Sequence, residues 1–141
     1  MEEPHHTPRF EKTDLPLPPM TAKIRNWINL APTNDFGEFL ARLWSMFGPT
    51  DQIHFEGFTY RIKDNETGII FTAYCAGTGP AFGGSMDDRE AVSQVIDAFE
   101  VELKAAPLAD CEIEFPTDYG IFRTGAHDGV AFGKTYEEDP E

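Results

Sequence analysis

Apolar residues recur along this chain with two different periods, and the switches between them mark the elements. Over residues 35–47, Phe36, Phe39, Leu40, Leu43, Trp44 and Phe47 fall at i, i+3, i+4, i+7, i+8 and i+11, the stripe of an amphipathic helix. Asp35 and Glu38 have the spacing of an N-cap and its N3 partner, and Gly48-Pro49 is a stop signal. A second helix is expected over 87–105. Ala91, Val92, Val95, Ile96, Phe99 and Leu103 form its inner face, Asp87 and Glu90 its cap pair, and Pro107 its limit.

Between the helices the period shortens. Residues 53–63 (IHFEGFTYRIK) and 69–76 (IIFTAYCA) are rich in β-branched and aromatic types, and Asp64-Asn65-Glu66-Thr67-Gly68 supplies turn chemistry. The pair reads as a hairpin, apolar on more than one face and therefore central in its sheet. Residues 77–86 (GTGPAFGGSM) then read as a Gly-rich loop from which Phe82 projects. After the second helix, Cys111, Ile113 and Phe115 alternate with Glu112 and Glu114 in a half-exposed strand. Two more short strands follow, over 119–123 and 130–136, with a turn around Ala126-His127-Asp128-Gly129.

The N-terminal 20 residues have no apolar period and contain Pro4, Pro8, Pro16, Pro18 and Pro19. They read as a flexible arm outside the core, with Met20 as an alternative internal start. In 22–31 (AKIRNWINLA), the 24/27/28 spacing fits one helical turn, while the shortness of the segment fits an extended strand equally well. Residues 21–136 make one domain and 137–141 (EEDPE) an acidic tail. Strands cluster rather than alternate with helices. The expected class is α+β, with a mostly antiparallel sheet of about four to five strands and two main helices packed on one face.

Charge narrows the function. The 141 residues hold 11 basic and 25 acidic side chains, a net charge of −14. Residues 1–86 contribute −3 of this and residues 87–141 contribute −11. Phosphate binding needs clustered Lys and Arg, so nucleic acid and anionic membrane surfaces are excluded as partners and basic proteins are favoured. No stretch approaches the ~20 apolar residues of a membrane-spanning helix, and no apolar signal segment follows the N-terminal charges. The expected location is the cytoplasm.

Candidate chemistry is sparse. The order of strand, GTGPAFGG and helix imitates a phosphate loop, but the spacing is not GxGxxG and no Lys-Ser/Thr pair follows the last glycine. Asp87 and Asp88 occupy the helix start, where a bound anion would have to sit. Cys75 and Cys111 supply neither a disulfide framework nor a metal set, and both read as reduced, buried thiols. No HExxH or EF-hand pattern is present. No catalytic residue, metal or cofactor is assigned.

The small size, the acidity and the missing catalytic kit resemble the immunity proteins of bacterial toxin systems. The segment EGFTYRIKDNETGIIFTAYCAGTGPAFGG, Glu56 to Gly84, is similar to a hairpin-plus-Gly-loop block in some of them. The resemblance implies a cytoplasmic, non-enzymatic inhibitor that binds a cognate, basic toxin domain. The expected interface is acidic: Asp97, Glu100 and Glu102 on the second helix, and Asp110, Glu112, Glu114 and Asp118 on and after the following strand. Tyr119 and Phe82 are its aromatic anchors. Two alternatives remain open at this point. One is a small enzyme or ligand-binding domain using a pocket beside residues 77–84; the other is an adaptor or structural subunit.

Overall fold

The computed structural model describes residues 8–27, 35–50, 52–76 and 79–136. The 137–141 tail and residues 1–7 and 28–34 lie outside that set. The elements are β1 (Phe10–Lys12), β2 (Thr21–Asn26), α1 (Asp35–Phe47), β3 (Gln52–His54), β4 (Gly57–Asp64), β5 (Ile70–Ala76), β6 (Gly79–Ser85), α2 (Arg89–Ala105), β7 (Cys111–Thr117), β8 (Gly120–His127) and β9 (Val130–Tyr136).

The class is α+β with antiparallel pairing, as expected, but the strands divide into two sheets. Sheet A has six strands in the order β1-β4-β5-β6-β2, with β3 also on β4. β1 and β3 share one edge of β4, beside residues 62–64 and 57–59 respectively. Sheet B is the meander β7-β8-β9. The expected single sheet of four to five strands is therefore corrected.

The reason lies in α1. Its stripe residues Phe39, Leu40 and Leu43 are fully buried, and so is Ala41 on another side of the helix. Towards sheet A, Phe39 packs on Phe58 and Phe82. Towards sheet B, Phe36 packs on Phe115 and Phe122. A Cβ at Gly37 would lie 2.6 Å from the Phe132 carbonyl oxygen, so the glycine lets the helix backbone rest on that sheet. A helix apolar on two sides requires cover on both.

α2 lies on the same face of sheet A as α1. Phe99 is its anchor, with ring neighbours Phe10, Phe47, Phe71 and Phe82 at 5.0–6.1 Å. Arg42 couples the helices: its Nε donates to Glu38 at 2.8 Å, and its Nη1 donates to the carbonyls of Lys104 and Ala106. A cation at the C-terminus of α2 also complements the helix dipole. Glu38 is thus turned to Arg42 one turn on, not back to the start of α1 as a capping box requires. At α2 the N-cap is Asp88, with no side-chain cap hydrogen bond.

Two readings of the sequence are corrected here. The first is the Gly-rich loop. Residues 79–85 form β6, paired with both β5 and β2, and Phe82 is fully buried. Its glycines are spacers. A Cβ on Gly83 would sit 2.7 Å from the Thr72 hydroxyl, and one on Gly84 2.5 Å from Val92 Cγ1 on α2. Val92 is 1% exposed and β-branched, with little rotamer freedom to yield. Gly84→Ala is therefore expected to destabilise by about 1–3 kcal/mol. Adding Val92→Ala should recover part of that loss in thermal melts. A Gly84→Ala protein more stable than the parent would refute the close approach.

The second correction is the arm. β1 continues sheet A, with Phe10 paired to Asp64 and 3% exposed. The Arg9 guanidinium clasps Asp64, at 2.8 Å and 3.2 Å. Residues 13–20 then carry the chain from one edge of sheet A to β2 at the other. Arg61, on the face away from the helices, donates to the carbonyls of Asp14 and Leu15, at 3.3 Å and 2.6 Å. Prolines are admitted here because this segment donates little to a ladder. The ambiguous segment after Met20 is the strand β2. Its register with β6 shifts between Lys23 and Arg25, a bulge beside which Arg25 reaches α2.

Candidate functional site

The acidic residues singled out from the sequence fall on two elements, α2 and the β7 side of sheet B, and several already have partners. On α2, Asp97 and Glu100 converge on Arg25, at 2.7 Å and 3.2 Å from its Nη2. Ion pairs this exposed contribute about 1 kcal/mol or less, but they leave these two carboxylates already partnered. Glu102 looks the other way, into a groove shared with Phe10, Lys12 and Phe47. α2 packs on sheet A and α1, whereas Asp110, Glu112, Glu114 and Asp118 belong to sheet B and its approach.

Within sheet B the acids differ. Asp110 accepts a hydrogen bond from the Asp128 N–H at 3.0 Å, and its other oxygen lies 3.6 Å from His127 Nδ1. His127 Nε2 is 3.4 Å from Asp128. The three side chains are exposed, and their potential ligand atoms lie within 4.8 Å of one another. The imidazole lies between the two carboxylates in solvent. Glu112 is paired with Arg123 at 2.6 Å. Glu114 and Asp118 point into solvent.

Tyr119 stands in the β7–β8 turn and is 83% exposed. Thr117 builds that turn: its hydroxyl accepts from the Tyr119 N–H and donates to the Gly120 carbonyl. Phe82, the other proposed anchor, is fully buried against Trp27, Phe39 and Phe99 and is withdrawn.

The structure adds two residues that sequence reasoning absorbed into a strand. Residues 53–63 are not one strand but a tight hairpin, β3 and β4, turning at Phe55-Glu56 with His54 opposite Gly57. Glu56 takes φ 67°, and a Cβ on Gly57 would lie 1.8 Å from the Cys75 carbonyl oxygen, so only glycine fits there. The Glu-Gly dipeptide inside an apolar run was the available signal. The turn leaves Ile53 and Phe55 about half exposed. Glu56 N–H donates to the Pro116 carbonyl at 2.7 Å, which sets this turn beside the end of β7, next to Tyr119's turn.

Features that would support catalysis are weak. Cys75 and Cys111 are buried and form no disulfide, and burial pushes the Cys111 thiol up to about 11, so it holds no thiolate at neutral pH. A cavity of about 310 Å³ is lined by Pro16, Pro18, Ile70, Ser85, Asp88 and Val92, at the Ser85 end of β6. No helix among the described residues is long and apolar enough to cross a membrane. Comparison of the chain with protein-family models, with curated proteins and with solved structures finds no match to any of them.

Proposed function

We propose that this chain is a non-enzymatic binding protein of the immunity type, which neutralises a cognate basic toxin domain. The observation that carries the reading is Tyr119, a ring left 83% exposed at a turn, with the exposed Asp118 next to it in the chain. An aromatic anchor within a charged rim is the usual anatomy of a protein-binding hot spot. The net charge of −14 supports a basic partner, since complementary potential speeds encounter and fixes register.

The test is a pull-down with the product of the adjacent upstream gene, followed by affinity measurements at low and high salt. Tyr119→Ala is expected to cost about 2 kcal/mol, near 30-fold in affinity. Reversing Asp118 or Glu114 should slow association and flatten its salt dependence. Reversing Asp97 should do little, because Arg25 already partners it. Failure to capture the neighbouring product, or binding indifferent to both salt and Tyr119, would set the reading aside.

A further inference from the structure

We infer that the binding surface is a two-turn platform, Ile53 and Phe55 from the β3–β4 turn and Tyr119 from the β7–β8 turn, and that its occupant is an arginine-bearing segment of a protein partner. The inference rests on the basic-partner reading above and names the chemistry of that partner. Among the described side chains, Phe55 at 52% and Tyr119 at 83% are the only exposed aromatic rings. The fold brings both to one end of the molecule, where the Glu56 N–H to Pro116 carbonyl bond ties the two turns together. Ile53, 49% exposed, extends the apolar surface along β3.

Charge decides among occupants. Residues 51–60 and 110–122 contain no Lys or Arg, and a carboxylate adjoins each ring in the chain, Glu56 next to Phe55 and Asp118 next to Tyr119. A second copy would bring the same carboxylates and another −14 of charge against them, which opposes self-association. Nucleic acid is repelled for the same reason. An arginine fits both parts of the platform. Its guanidinium stacks on an aromatic face and offers paired N–H donors to a carboxylate. Lysine, a compact and strongly hydrated point charge, satisfies the acids but gains less from the rings.

The experiment is an amide-shift titration of the full chain with three synthetic peptides of equal length, one alternating Arg and Ala, one Lys and Ala, one Glu and Ala. The Arg peptide should shift the amides of 53–56 and 117–120 and bind several-fold tighter than the Lys peptide. The Glu peptide should not bind. Both Phe55→Ser and Tyr119→Ser replace exposed rings, and their spectra report directly that the fold is kept. Each should weaken the Arg peptide about tenfold. Equal binding of the Arg and Lys peptides, shifts confined to α2 or to the Glu112–Arg123 face, or variants that bind like the parent would each overturn the platform. Concentration-dependent shifts of the free protein at these turns would overturn it in favour of a second copy. The two readings separate cleanly. A toxin bound by the Phe55→Ser protein as tightly as by the parent, but weakened by Tyr119→Ala, removes the platform and keeps the immunity reading. Peptide binding at these turns with no toxin captured does the reverse.

Discussion

Deleting residues 1–12 lowers the melting temperature by about 10 °C or more, the scale set by roughly 3 °C per kcal/mol for a domain of this size. A flexible arm would be removable without effect, and the proline content of the segment argues for that outcome. Two contacts reverse it. Phe10 is 3% exposed and meets Phe99 edge-on at 5.0 Å and Phe71 at 6.0 Å. Truncating such a ring costs about 3–5 kcal/mol. Asp64 has no exposed side-chain surface, and Arg9 is its cationic partner. Removing one member of a buried pair costs about 3–5 kcal/mol; because Arg9 is partly exposed, the low end applies. Phe10→Ala and Arg9→Ala in the full chain should each lower stability, and because the Arg9 guanidinium lies over the Phe10 ring at 5.1 Å the two losses are coupled rather than additive. An unchanged melting temperature in the truncated protein would show that β1 adds nothing to sheet A.

Acid titration checks the same ion pair. Burial alone would raise the Asp64 carboxyl, but the hydrogen bonds from Arg9, Thr67 and the Glu66 N–H outweigh it and hold the group below its ordinary value. A carboxylate depressed in the folded state stabilises fully above its unfolded value of about 3.9. That contribution is lost as pH falls through the folded value. The stability gap between the full chain and Arg9→Ala should therefore be constant near neutrality and narrow below about pH 4.

Phe99→Ala is the substitution expected to cost most at a single position, about 3–5 kcal/mol. Phe99 is fully buried on α2 and touches rings from four elements or their ends: β1, α1, β5 and β6. A cavity there cannot be filled by one neighbour moving, because the four rings are fixed on separate backbones. Chemical denaturation would measure the loss. A cost under about 1 kcal/mol would mean that the cluster collapses around the gap, contrary to its spread over two helices and a sheet.

Local pattern was enough for both helices and for β5, β7 and β9, whereas β1, β3 and β6 were missed and β8 runs on to His127, past the expected end at Arg123. The stripe from Phe36 to Phe47 marks α1, Asp35–Phe47, and the alternation from Cys111 to Phe115 marks β7, because each period exposes one backbone geometry and no other. The charge imbalance, too, is a property of the sequence.

Partnership belongs to the tertiary structure. Alternation tells a strand which face is buried but not which sheet covers it, so nothing local separated β7-β8-β9 from sheet A; α1, apolar on two sides, made that division. The glycines of 79–84 suit a loop and a tight crossing alike, and the bulk of Val92 and Thr72 against Gly84 and Gly83 decided for a buried strand, taking Phe82 out of the candidate surface. Arg25 cancelled Asp97 and Glu100 across 72 and 75 residues of chain. The turn that holds Phe55 and the end of β7 that precedes Tyr119, 64 positions apart at those two residues, are joined by the Glu56 N–H to Pro116 carbonyl bond, a contact between distant segments that no local period encodes.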